Sequence, residues 1–179
     1  MVWAIRGNDF ELRKIDISFT ELVIPRFLRS NLDENEINKY TLNYETGRNL
    51  EYIWEYAHYP IWPEGKLAFI LKHERTPIAV LTFDRPSLDK IKIKQIQGIE
   101  NKIQLLSPIR WQRALVYYTT DLWAPKNNIK EAEIVSAENN RYPVVNTTNH
   151  GKMLYNVTAK RSGFKKSIDG NYHRFINSN

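Results

Sequence analysis

The 179-residue sequence contains no cysteine, and this absence excludes several kinds of chemistry at once. Disulfides, thiolate nucleophiles and thiolate metal ligands all require that residue. The four histidines are scattered without the spacing of metal ligands, so we expect no metal site; they are His58, His73, His150 and His173. The sequence also lacks a P-loop, a G-x-G-x-x-G motif and a G-x-S-x-G motif. Nucleotide-triphosphatase, Rossmann and hydrolase functions therefore have no support.

Long apolar runs are also missing. The longest span about five residues, whereas a transmembrane helix needs about 20. The N-terminal stretch MVWAIRGNDFELR lacks the apolar core of a signal peptide. We therefore expect a cytoplasmic protein with no membrane partner. Because 42% of the residues are hydrophobic, the chain can bury a substantial core, and we expect one domain over residues 1–179.

Positive charge is in excess, with a net charge of +6 and a pI of about 9.4. Such a balance favours anionic partners, namely nucleic acid, a phosphate-bearing cofactor or an acidic surface. The cations are spread along the chain, without a run of five or more. A soluble protein that is basic without an anionic partner is therefore an equal alternative.

The first half of the chain changes from helical periodicity to strict alternation. We predict a strand over residues 10–18 and helical segments over 19–32, 33–47 and 49–60, with Asp33 as an N-cap. Alternating runs over 66–73, 77–85 and 89–99 then predict an antiparallel meander. Aromatic residues crowd the segment before the meander, where they either stack on a substrate or fill a core; they are Tyr52, Trp54, Tyr56, Tyr59 and Trp62.

The second half alternates helices and strands. Ser107 and Pro108 predict the start of a helix that Pro125 ends, and residues 129–137 predict a strand. A last helix runs from caps at 147–149 to Ser162, with Gly163 in the left-handed position after it. A short strand, an Asp-Gly turn and a final strand follow. The order β-α-α-β-β-β-α-β-α-β-β predicts an α/β fold, an α+β mixed sheet with helices on its faces.

This order resembles the GNAT fold, that of the GCN5-related N-acetyltransferases. In sequence the resemblance is concentrated in LYNVTAKRSGF, residues 154–164, which looks like that family's late helix ending in Gly-Phe. It implies an antiparallel N-terminal half, a strand-helix-strand-helix C-terminal half, and a divergent acyltransferase. The implied reaction transfers an acyl group from acetyl-CoA or another acyl-CoA to an amine, on a small molecule or a macromolecule.

The resemblance also implies where the cofactor binds. DKIKIKQIQGI, residues 89–99, would be the fourth strand, pairing with the pantetheine arm of acyl-CoA through Gln97, Gly98 and Ile99. Gly98 marks either a bulge in that strand or its end. The helix that follows would receive the pyrophosphate at its start, where Ser107, Arg110 and Gln112 stand at the three defining positions of the family's phosphate loop. Arg110 and Arg113 would clamp the phosphate, or else form an exposed helix face.

Two residues are candidates for catalysis under the same resemblance. Tyr155 would act as the general acid, although the family's tyrosine matches Ala159, one helical turn later. Glu100, just after the fourth strand, would act as the general base for the amine. The alternatives are an aromatic side chain packed on the sheet and a solvated loop carboxylate.

A last group of cations surrounds the end of the final helix. These residues either form a nucleic-acid or anion patch, with Lys152 and His173 nearby, or offset the helix dipole; they are Lys160, Arg161, Lys165, Lys166 and Arg174. The patch favours an alternative function, a GNAT-fold protein that modifies or binds DNA or tRNA. A non-catalytic interaction domain is the third possibility.

Overall fold

A seven-stranded mixed sheet forms the centre of the computed structural model, which describes residues 19–46, 63–142, 145 and 147–176. The strands are β1 (Tyr40–Thr46), β2 (Leu67–His73), β3 (Thr76–Ser87), β4 (Lys90–Gly98), β5 (Glu131–Ile134), β6 (Lys165–Lys166) and β7 (Tyr172–Phe175). Their spatial order is β1-β2-β3-β4-β5-β7-β6. Only β4 and β5 are parallel, and every other neighbouring pair in this sheet is antiparallel.

The antiparallel meander predicted from the alternating runs is confirmed as β2, β3 and β4. Ile91 and Ile93 of β4 are buried in the core, whereas the alternating Lys90 and Lys92 reach acidic partners. The α+β mixed sheet is confirmed as well, with an antiparallel N-terminal half followed by strand, helix, strand and helix.

The prediction of a helix over residues 33–47 was largely wrong. Only α1 (Glu34–Ile37) is helical, capped by Asp33, whose Oδ1 accepts a hydrogen bond of 2.9 Å from the Glu36 N–H. The chain then enters β1, because Tyr40, Leu42 and Tyr44 alternate onto one face and pair with β2. The segment before α1 forms a π-helical turn (Phe19–Val23) and a 3₁₀ turn (Pro25–Phe27). The predicted strand over 10–18 and helix over 49–60 lie outside the described residues.

In the described part of the chain, further helices follow β4. After a 3₁₀ turn (Glu100–Lys102), α2 is Ile103–Leu106. Helix α3 covers residues 111–126 as three continuous segments, α-helical Trp111–Tyr117, π-helical Tyr118–Trp123 and α-helical Ala124–Lys126. Helix α4 covers residues 149–161 in the same manner, with a π-helical centre at Met153–Val157 between Asn149–Lys152 and Thr158–Arg161.

Helix α3 begins three residues later than Ser107 and Pro108 predict. Ser107 ends α2 instead, and the next residues pair with the N-terminal segment through a bridge between Leu28 and Ile109. Backbone hydrogen bonds of 2.8 Å join Arg29 to Pro108 and Arg110 to Phe27. This tertiary pairing holds the backbone of residues 108–110 out of the helix, which local caps could not reveal.

The predicted limits of α4 are confirmed. Thr148 caps its start by accepting a hydrogen bond from the Gly151 N–H, and Ser162 follows its last residue. Gly163 has φ +81°, and the N–H groups of Gly163 and Phe164 donate to the carbonyls of Lys160 and Ala159. This is a Schellman motif, which requires a residue that tolerates the left-handed region.

Helices α3 and α4 cover one face of the sheet, called here the helix face. Its core contains an aromatic cluster in which Phe69 and Phe83 of the sheet meet Tyr118 and Trp123 of α3, with ring centroids 5.1–5.6 Å apart. Arg174 of β7 joins the two helices by bonding Asp121 of α3 and the carbonyl of Ser162. The other face, called the second face, carries Thr82 and Gln95. Within the described residues, the helices are too short or too polar to cross a bilayer.

Candidate functional site

The sheet opens between its two parallel strands. β5 pairs with β4 only from Lys90 to Ile93, and the last contact is a 3.0 Å hydrogen bond from the Val135 N–H to the Ile93 carbonyl. β4 continues to Gly98, and immediately after Ile93 it bulges, because Lys94 is an extra residue against β3. Beyond this bulge, no strand among the described residues pairs with β4 on the β5 side. The C-terminal half of β4 therefore lines an opening in the sheet.

Gly98 lies at the end of β4 and not at the bulge. A Cβ atom there would lie 2.9 Å from the Leu106 Cδ1 and 3.2 Å from the Trp111 ring. A larger residue here would displace the Leu106 and Trp111 side chains, so the packing against α2 and the start of α3 favours glycine.

The backbone direction of β4 decides which groups face the opening. The Ile99 N–H donates to the Ile78 carbonyl on the β3 side, at 2.9 Å. Since hydrogen-bonding direction alternates along a strand, the backbone groups of Ile96 and Gly98 face the opening. Of the three residues expected to contact a cofactor, only Gly98 presents its main chain there. The Gln97 side chain accepts a hydrogen bond from the Gln95 amide.

Tyr155 lies at this opening. It projects from the π-helical turn of α4, is 2% exposed, and its hydroxyl accepts a long hydrogen bond of 3.4 Å from the Ile96 N–H. Burial raises the pKa of Tyr155 far above its ordinary value, and the charge of Glu64 raises it further. The Ile96 N–H and the Asn140 side chain oppose this shift only in part. The hydroxyl is therefore protonated throughout the physiological pH range.

Asn140 adds an unused donor beside this hydroxyl. The residue is 4% exposed, and its Oδ1 accepts a hydrogen bond from the Tyr142 N–H. Its Nδ2 is buried without a hydrogen bond of normal geometry to the described residues, although the side chain lies close enough to favour ionised Tyr155. A buried amide donor without a partner is costly unless a ligand satisfies it.

Glu64 is a residue of this site that the sequence analysis missed. Its side chain is 9% exposed and lies 4.0 Å from the Arg141 Nε. Burial raises the pKa of Glu64, and the charges of Arg141 and Lys94 only partly offset this effect. In the sequence it stands in a Pro-Glu-Gly stretch, which is typical of a solvated turn, so no local signal marks it.

A groove lined with arginines lies between the start of α3 and α4. Its volume is about 150 Å³, and its walls include Arg29, Arg110, Arg113, His150 and Arg161. Within the described part of the chain, no carboxylate forms an ion pair with these arginines. Burial and the neighbouring charges of Arg110, Arg161 and Arg26 lower the pKa of Arg113. The groove is therefore a region of uncompensated positive charge.

The groove brings together residues predicted for two different sites. Arg110 and Arg113 were expected to bind phosphate, and Arg161 was assigned to the basic patch at the end of α4; all three line this one groove. Ser107 closes α2 and is not part of the lining. Arg29 and His150 were not predicted as neighbours, because no sequence pattern indicates the pairing that brings residues 27–29 to residues 108–110.

The remaining predicted residues are dispersed. Arg174 is bound to Asp121, and Lys166 lies 3.8 Å from Glu138 and over the Tyr172 ring. Lys160 and Lys165 are exposed at the end of α4 and on the edge strand β6. Glu100 begins the 3₁₀ turn after β4, and its side chain lies outside what the structure describes.

One cluster of the described residues has a composition that could hold a metal. Ligand atoms of Glu133, Asp169 and His173 lie within 4.8 Å of one another. Glu133, however, already accepts hydrogen bonds from Asn171 and forms ion pairs with Lys90 and Lys92. Its charge is thus already compensated by protein groups.

Neither a protein-family model nor a curated protein matches this sequence. Solved structures of acetyltransferases resemble the fold. Ard1 from Thermoplasma volcanium has a TM-score of 0.48 at 10% identity, over 78% of this chain and 99% of that chain. A GNAT family N-acetyltransferase from Escherichia coli, in complex with CoA, has a TM-score of 0.43 at 12% identity, over 93% and 83%. A probable acetyltransferase (GNAT family) from Chromobacterium violaceum has a TM-score of 0.44 at 9% identity, over 78% and 89%.

The fold assignment follows from the strand order itself. The resemblance implied an antiparallel N-terminal half, a strand-helix-strand-helix C-terminal half and a closing strand pair, and the sheet has these features. The strand order is therefore that of an α+β mixed sheet, as the resemblance to the GNAT fold implied.

Proposed function

We propose that this protein is an N-acyltransferase that takes its acyl group from acyl-CoA, with acetyl-CoA as the simplest donor. The observation that carries this proposal is the opening between β4 and β5, with protonated Tyr155 beside it. The fold supports acyl transfer in general, whereas the donor and the acceptor are parts of the proposal.

The arginine groove suits the phosphates of the donor. A dianionic pyrophosphate or a 3′-phosphate would neutralise charges that lack a partner in the described protein, and guanidinium groups bind phosphate oxygens well. In this chain arginine side chains would bind the phosphates, whereas in glycine-rich loops backbone N–H groups do so. The pantetheine amides would then pair with the main chain of Ile96 and Gly98, the groups that face the opening.

In this proposal Tyr155 assists the leaving group. Its oxygen accepts from the Ile96 N–H, so its own proton is free to point elsewhere. In direct transfer the amine nitrogen forms a bond to the thioester carbon, and the carbon–sulfur bond breaks. The departing thiolate would receive a hydrogen bond and then the proton from Tyr155. The buried Asn140 amide would donate to the carbonyl oxygen as negative charge develops on it.

Calorimetric titration with CoA and acetyl-CoA tests donor binding. We expect micromolar to millimolar affinity that weakens about tenfold or more in the double variant Arg110→Gln, Arg113→Gln. Lys160→Gln removes an exposed cation outside the groove lining and is the matched control. If the wild-type protein takes up neither ligand at millimolar concentration, the proposal is wrong. Equal losses of affinity in the control and in the double variant would show that the groove does not bind the donor.

A further inference from the structure

A buried carboxylate lies at the opening on the side away from the arginine groove. The Glu64 N–H donates to the Gln95 Oε1 at 3.2 Å, and the Lys94 Nζ donates to the Glu64 carbonyl at 3.5 Å. Lys94 and Gln95 form the bulge of β4, where the sheet begins to open. The main chain of Glu64 is therefore fixed to the point of opening by groups of β4 itself.

The charge of this carboxylate is poorly compensated. Among the described residues its nearest cation is Arg141, with 4.0 Å between Nε and Oε2, and that side chain is 65% exposed. The guanidinium of Arg141 also donates to the Tyr142 hydroxyl at 2.7 Å and lies over the same ring. The Lys94 ammonium forms its 2.7 Å ion pair with Asp84 instead. A buried carboxylate in this state gains from binding a further cation.

Glu64 and the arginine groove lie on opposite sides of the sheet. Gln95, which holds Glu64, pairs with Thr82 on the second face, whereas Ile96 belongs to the core beneath α3 and α4. The charge of Glu64 nevertheless raises the pKa of Tyr155, whose hydroxyl lies on β4 at the opening. A donor that enters from the groove and an acceptor that enters from the second face would therefore meet between these two residues.

We propose that Glu64 binds the ammonium group of the acceptor and accepts its proton. The proton moves from nitrogen to a carboxylate oxygen of Glu64, and the freed electron pair attacks the thioester carbon. The carbon–nitrogen bond forms, the carbon–sulfur bond breaks, and Tyr155 protonates the departing thiolate. The acylated nitrogen then gives its remaining excess proton to the Tyr155 phenolate, and Glu64 releases its proton to solvent. The acceptor class is then a primary amine that reaches the site as a cation. This inference rests on the proposed acyl transfer, and it replaces Glu100 as the base.

A cofactor-free experiment tests the ammonium site. In protein labelled with ¹³C at glutamate carboxyl carbons, Glu64→Gln identifies the Glu64 signal by its loss. We expect that signal to titrate above the other glutamates, and its pKa to fall when methylammonium chloride is added. Sodium chloride at equal ionic strength is the control and should lower the pKa of Glu64 less. A Glu64 signal that responds equally to both salts overturns the proposal.

Kinetics test the proton transfer. With acetyl-CoA and methylamine, Glu64→Gln should lower amine-dependent CoA release about 100-fold and remove the acidic limb of the pH profile. Hydroxylamine is already neutral near pH 7, so its reaction should change little. Glu74→Gln, a change of an exposed carboxylate, should behave as wild type. Intact CoA binding with equal losses for both nucleophiles overturns the role of Glu64, whereas absent CoA binding overturns the proposed function instead.

Discussion

Tyr155 illustrates how burial decides what a single side chain can do. Its raised pKa keeps the hydroxyl protonated, and the hydroxyl oxygen already accepts a hydrogen bond from the Ile96 N–H. Tyr155→Phe removes the donor while retaining the ring in the core. We expect kcat for acyl transfer to fall about 100-fold, since general acid catalysis contributes at least that much. Steady-state CoA release from acetyl-CoA measures the effect.

The same variant should bind CoA as the wild type does, because the phosphates would lie in the groove. Calorimetry provides this control, and thermal unfolding should show only a small loss, since one long hydrogen bond disappears. An unchanged kcat would show that Tyr155 only packs against the sheet, which was the alternative in the sequence analysis.

Arg113 illustrates how a binding site can lower the stability of the protein when no ligand is bound. Its Nε is buried without a hydrogen-bond partner in the described protein, and its neighbours Arg110 and Arg161 repel it. Arg113→Met retains an apolar stem and removes the charged guanidinium, which lies over the Phe27 ring. We expect the free energy of unfolding to rise by about 1 kcal/mol in the absence of anions. Urea denaturation measures this change.

Added CoA should make the wild type more stable than Arg113→Met. Ligand that binds the native state stabilises it by mass action, and the wild type would bind more tightly. A variant that is less stable than the wild type even without ligand would mean that Arg113 is a structural residue.

Sequence reasoning at this scale reaches only residues that local patterns single out. Tyr155, Arg110 and Arg113 became candidates because they stand near a predicted helix end or helix start, and their roles stay predictions. Glu64 and Arg29 were missed because their importance comes from contacts with β4 and with residues 108–110. Such contacts depend on how elements assemble, and no local pattern encodes them.

At the scale of elements, β4 combines a closed half and an open half. In the closed half, Glu133 of β5 accepts hydrogen bonds from Lys92 at 2.7 Å and Lys90 at 3.1 Å across the parallel pair. Burial alone would raise the pKa of Glu133, but these lysines outweigh it and the net shift is downward. Glu133→Gln should lower the free energy of unfolding by about 2 kcal/mol at pH 7.

The pH dependence of this loss has a definite sign. A lowered carboxylate pKa stabilises the fold above the unfolded-state pKa, and this contribution disappears as pH falls through the folded-state pKa. The difference between wild type and Glu133→Gln should thus be constant near neutral pH and shrink below about pH 4. Urea titrations at several pH values measure it. Glu131→Gln, at a more exposed position, is the matched control and should lose less; a difference independent of pH would contradict the ion-pair explanation.

The elements themselves were predicted unevenly. The meander and α4 were predicted because alternation and caps act within a few residues. β1 was missed because its acidic and polar residues continue the pattern of α1, and its pairing with β2 decides the outcome. The start of α3 moved to Trp111 for the same reason, since the bridge to Leu28 outweighs the local signals at Ser107 and Pro108.

At the scale of the whole molecule, the five cations predicted to form one patch are divided among different partners and surfaces of the described residues. Arg174 and Lys166, two of the five cations predicted to track a phosphate backbone, are engaged by Asp121 and by Glu138 and Tyr172. Arg161 faces the groove, which leaves Lys160 and Lys165 exposed beside it. A groove of about 150 Å³ with converging arginines suits a compact phosphate group better than an extended strand.

This distribution of cations predicts weak binding to nucleic acid, with an affinity that depends only slightly on salt concentration. The two cations outside the groove, Lys160 and Lys165, correspond to a slope of about −1.8 for log affinity against log salt with duplex DNA. If the groove also bound the backbone, Arg110, Arg113 and Arg161 would raise the number of cations to five, and the slope would be about −4.5. Fluorescence anisotropy of a labelled duplex, recorded at salt concentrations from about 50 to about 200 mM, measures this slope. A slope near the steeper value, with binding lost on addition of CoA, would contradict a dedicated cofactor groove and favour nucleic acid as its ligand.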